Sequence, residues 1–71
     1  MESFRDYCIR KGNRDQKFLS WVDEIENLVL LTTHHRLLDL PDENYYTFFE
    51  EGVYASTVAK NIIREVLSYS Q

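Results

Sequence analysis

Seventy-one residues with a net charge of −4, 44% hydrophobic and 14% aromatic, make one small domain with a modest core. A chain of that size buries about 60–65% of its unfolded surface, which leaves few residues for a deep catalytic cleft. One cysteine excludes an intramolecular disulfide, two glycines and one proline argue against a turn-rich β fold, and no apolar run approaches the roughly 18 residues of a membrane-spanning helix.

Ser3 is placed to N-cap a short first helix over about residues 4–11, where Phe4, Tyr7 and Cys8 form one apolar stripe. Gly12-Asn13 ends it. Met1 to Asp6 lacks the basic start and apolar run of a secretion signal, so a reducing cytoplasm is the expected setting.

A second helix starts between Asn13 and Asp15. Phe18, Trp21, Val22, Ile25, Leu28 and Val29 recur at helical spacing, with Asp23, Glu24, Glu26 and Asn27 expected on the opposite, solvated side. Thr32-Thr33 weaken it, and a residue of His34-His35 is expected to take the left-handed cap conformation.

A third helix is expected to start at Pro41, with Asp39 accepting from its first turn, and to stop at Gly52. It is expected to pack between the two longer helices. The fourth runs from about Ala55 to Tyr69, with Tyr54 as N-cap and Val53 and Val58 forming a hydrophobic staple; Ser68 to Gln71 are expected to fray. The fold class is therefore all-α: a small single-domain bundle of three to four helices over residues 1–71. The expected core is Trp21, Val22, Ile25, Leu28, Val29, Leu40, Tyr45, Phe49, Val58, Ile62, Ile63 and Val66.

The pattern Phe18-x-x-Trp21-Val22, then Asp39-Leu40-Pro41-Asp42-x-x-Tyr45-x-x-Phe48-Phe49-x-x-Gly52, then Val58-Ala59, resembles a group of small uncharacterised proteins of bacteria, their phages and plasmids. The group's frame is an amphipathic helix with F-x-x-W-M, a Gly, a D-L-P-D-x-x-Y-x-x-W/F-F-x-x-G run and a short Ala-rich helix. The match spans about residues 18–59. The resemblance implies a compact helical fold and a mobile-element or bacterial setting, and it implies no activity. His34 stands where the group has Gly, His35 where it has Leu, and Tyr46 where it has a polar residue. Tyr54-Ala55 replaces a Ser-Pro helix start. Residues 1–17 lie outside the resemblance and read as an N-terminal addition to a core bundle over 18–71.

No catalytic constellation, cofactor motif or metal site can be assembled from these residues. The adjacent His34 and His35 lack a third ligand nearby and read as a solvated loop or a partner contact. Cys8 reads as a small core residue. At about 100° per residue, Tyr45, Tyr46, Phe48 and Phe49 span about 160°, wider than one buried face needs, which leaves Tyr46 at the edge as a candidate interface anchor. Glu43, Glu50 and Glu51 decorate the same helix.

The leading expectation is a non-enzymatic protein-interaction module with a protein partner, homodimerisation being a special case. An alternative is nucleic-acid association through Arg5, Arg10, Lys11, Arg14 and Lys17, where Phe4 and Tyr7 are interleaved, against an acidic remainder of the chain. A further alternative is an acidic DNA mimic using Asp39, Asp42, Glu43, Glu50 and Glu51.

Overall fold

Four α-helices and one 3₁₀ turn follow from local signals along the chain, in a computed structural model that describes residues 2–69. Helix α1 spans Phe4–Arg10, and Ser3 caps it, its Oγ accepting the Asp6 N–H at 3.1 Å. Gly12, at φ +100°, lets the chain reverse: its N–H reaches the Ile9 carbonyl while Asn13 N–H reaches Cys8, a Schellman closure.

Helix α2 spans Gln16–Thr33. Asp15 caps it, one carboxylate oxygen accepting from Lys17 and Phe18 N–H at 3.0 and 3.3 Å. At its end His34 adopts φ 64°, a left-handed cap without glycine, and its N–H reaches the Leu30 carbonyl at 2.9 Å.

The third helix departs from expectation. Pro41 does not start it. Leu37–Asp39 form a 3₁₀ turn, and residues 40–44 run without helix before α3, Tyr45–Glu50. The residue before a proline is pushed out of the α region, and Leu40 sits accordingly at φ −108°, ψ 162°. Asp39 therefore lies in the 3₁₀ turn. Asn44 is the N-cap of α3, and its side chain makes no capping bond. The stop at Gly52 is as expected: φ is +79°, its N–H reaches Phe49 and Val53 N–H reaches Phe48. Helix α4 spans Ala55–Tyr69, and the Tyr54 carbonyl accepts from Thr57 and Val58 N–H. Ser68 and Tyr69 are helical, while Ser70 and Gln71 lie outside the described residues.

Helix α2 is the hub of the bundle. Helices α1, α3 and α4 and the 3₁₀ turn each pack on it, and the α2–α4 contact is the largest, so α3 lies against α2 rather than between the long helices. The buried face of α2 is Phe18, Leu19, Val22, Ile25, Glu26 and Val29, an arc of about 120°. That face is rotated from the expected one. Leu19 replaces Leu28, which is 36% exposed, and Trp21 is half-buried. Glu26, expected on the solvated side, is 2% exposed. The rotation arises because α1 and the 3₁₀ turn cover the Leu19–Glu26 side, adding Phe4, Cys8 and Leu37 to the core. Tyr45, Ala55, Val58, Ala59, Ile62 and Val66 complete it.

Candidate functional site

Two surface features meet at the α3–α4 turn. One is aromatic. Phe18 and Trp21 of α2 stand one turn apart, with ring centroids 5.9 Å from each other. Phe49 of α3 docks edge-on against both, at 5.3 and 5.5 Å. Tyr46, one turn earlier, reaches Phe18 at 4.9 Å and Phe49 at 6.0 Å, and remains 44% exposed. The indole is held in one orientation because Trp21 Nε1 donates to the Val53 carbonyl at 2.9 Å. Tyr54, 78% exposed, shares an open depression with Trp21, Phe49 and Glu24. Among the described residues Tyr69 is exposed and makes no ring contact with this set.

The second feature is a pocket of about 310 Å³ between α3, the turn and α4. Phe48, Val53, Val58 and Ile62 make it apolar, and Glu43, Glu51, Glu65 and Asn61 complete its lining. The Schellman closure at Gly52 builds it, since that motif brings Val53 back over Phe48. Burial first, and then the nearby carboxylates of Glu43, Asp42, Glu26 and Glu65, push the Tyr45 phenol well above its ordinary range.

The sequence-expected candidates are thus partly gathered. Glu43 and Glu51 share the pocket, Tyr46 belongs to the aromatic face, and Glu50 is exposed on the same helix without lining either feature. His34 and His35 are elsewhere: His34 is 13 positions beyond Trp21 on α2, about 20 Å along the axis. It borders a shallow depression with Asn27, Leu30 and Leu31, and no metal-holding group of His, Cys, Asp or Glu exists among the described residues. Glu65 was not anticipated. Its place on the pocket depends on how α4 crosses the α3 turn, which no local pattern signals.

The basic N-terminal set is partly engaged within the domain. Arg10 makes a two-pronged pair with Glu2 at 3.0 and 3.1 Å, which holds the Glu2 carboxyl below its usual range and raises the guanidinium. Arg10 and Lys11 also lie 5.3 and 5.7 Å from the Tyr7 ring centre. Arg14 and Lys17 are exposed, and Arg5 is half-exposed. Cys8 is buried, which pushes its thiol up and away from nucleophilic use.

Glu26 is the buried ionisable group that periodicity missed. Its Oε1 accepts the Phe4 N–H at 3.1 Å and lies 3.7 Å from Arg36 Nη1, while Oε2 accepts the Leu37 N–H at 3.2 Å. Both oxygens are occupied by structural partners, so this carboxylate fastens the fold.

The arrangement defines a small all-α bundle whose notable surfaces are an aromatic face and an acid-rimmed apolar pocket. No helix among the described residues is long and apolar enough to cross a membrane. Comparison with protein-family models, with curated proteins and with solved structures found no match.

Proposed function

We propose that this chain is a non-enzymatic protein-interaction module, of phage or mobile-element type, that binds and modulates a host or self protein in the cytoplasm of a bacterial cell. One observation carries the reading: the Tyr46–Phe18–Phe49–Trp21 ring stack reaches the surface at Tyr46, 44% exposed, and Tyr54 stands 78% exposed over its far side. Aromatic side chains with an anchored body and a free polar tip are typical centres of interface energy, because little rotamer freedom is left to lose on binding. The resemblance to small phage and plasmid proteins supports the setting.

Affinity capture from a bacterial host with wild type, Tyr46→Ala and Tyr54→Ala tests the reading. A specific partner retained by wild type and reduced at least about tenfold in either variant is the expected result. Equal recovery by all three removes the aromatic face from consideration. The nucleic-acid reading retains Arg5, Arg14 and Lys17 as uncommitted cations, and salt-sensitive gel-shift binding lost on neutralising Arg14 and Lys17 would favour it instead.

A further inference from the structure

The pocket between α3 and α4 selects its occupant by two properties at once. The apolar part, Phe48, Val58 and Ile62 with Val53, takes up an aliphatic or aromatic group. Three carboxylates surround it, no lysine or arginine lines it, and none of Glu43, Glu51 or Glu65 is in an ion pair among the described residues. A neutral apolar ligand would leave this negative field unanswered. A bare divalent cation does not answer it either, because no three acidic groups among the described residues come close enough to hold one ion. The fitting group is long, apolar along its stem and cationic over several diverging donors.

We infer that this pocket receives the side chain of an arginine presented by a protein partner. Its methylene stem lies along Val58 and Ile62, its guanidinium faces the Phe48 ring, and its N–H groups reach the separated carboxylates of Glu43, Glu51 and Glu65. Arginine matches better than lysine because the planar guanidinium has five donors, sheds water more readily and stacks on aromatic faces. The volume, about 310 Å³, is at the small end for ligand pockets and suits one inserted side chain rather than a whole helix.

Because this assignment rests on the partner-binding reading above, its test uses a defined probe rather than the partner. An acetylated, amidated Gly-Arg-Gly peptide is titrated into the full chain at low salt and followed by backbone amide shifts. The expected result is saturable shifts centred on Glu51, Val53, Asn61 and Glu65, with the citrulline peptide about tenfold weaker. The double variant Glu51→Gln, Glu65→Gln, at two exposed positions, should weaken the arginine peptide about five- to tenfold while its thermal melt stays near wild type. Equal binding of the citrulline peptide, unchanged binding by the double variant, calcium saturating the same amides, or shifts scattered over other acids such as Asp23 and Glu24 would each overturn the assignment. If the peptide fails while Tyr46→Ala or Tyr54→Ala still loses the partner, the interaction reading stands and the arginine assignment falls. If the peptide binds while both aromatic variants keep the partner, the pocket stands and the aromatic face falls.

Discussion

Glu26 accepts the backbone N–H of Phe4, 22 positions earlier in the chain, at 3.1 Å. Its other oxygen accepts the N–H of Leu37, 11 positions later. One carboxylate thus ties the start of α1 and the 3₁₀ turn to the middle of α2, and Arg36 at 3.7 Å balances its charge. Both bonds satisfy backbone amides that helix geometry leaves free or that an extended approach would expose.

Glu26→Ala should therefore lower stability by about 3–5 kcal/mol, since it strands two buried N–H groups and leaves Arg36 without its partner. Glu26→Gln keeps one carbonyl acceptor and should cost less. Urea denaturation of the three proteins checks the order. An Ala variant as stable as wild type would remove the fastener role.

Phe49→Ala and Trp21→Ala should each cost about 3–5 kcal/mol, because Phe49 touches three other aromatic rings, Trp21 touches two, and Trp21 also holds the α3–α4 turn. Trp21→Phe separates the contributions. It keeps most of the apolar contact and loses the Nε1 bond to Val53, for a loss of about 1 kcal/mol. Thermal melts should move by about 4–8 °C per kcal/mol in a domain this small.

His34→Gly should stabilise the protein by about 0.5–1 kcal/mol. Residue 34 sits at φ 64°, a region that strains any residue with a Cβ, and glycine removes that strain while adding unfolded-state freedom that offsets part of the gain. A melt lower than wild type would mean that the His34 ring makes a compensating contact.

Alkaline pH should unfold the domain through Tyr45. Its folded pKa is raised above the ordinary tyrosine value near 10, so above about pH 10 the unfolded chain releases this proton and the folded chain does not. Stability is thus full below pH 10 and falls as pH rises beyond it, by about 1.4 kcal/mol per pH unit from this group. Ultraviolet titration of the five tyrosines should show one ionising late and together with loss of helicity. Tyr45→Phe should remove much of the alkaline sensitivity.

The elements with strong local chemistry were legible in the sequence. Ser3 and Asp15 cap helices where their side chains suggested, Gly12 and Gly52 take positive φ, and His34 makes the left-handed cap that the lack of a glycine demanded. Pro41 was misread because its tolerance in a first helical turn hid its stronger effect, which is to hold Leu40 extended. Of the candidate site, Tyr46 as an edge aromatic and Glu43 and Glu51 as surface acids were visible. Their division between an aromatic face and a separate pocket was not, nor was the contribution of Glu65, nearly three turns into α4.

Helical periodicity, capping residues and turn glycines determined by themselves that this chain is an all-α bundle and where most of its helices end, because those signals act within one or two turns of backbone. Only the tertiary structure decided which arc of α2 is buried. Two elements distant in sequence, α1 and the 3₁₀ turn, close over the same side of that helix. Their two backbone N–H groups meet Glu26 there, and the bonds they supply make it favourable to bury a carboxylate that its sequence neighbours mark as solvated.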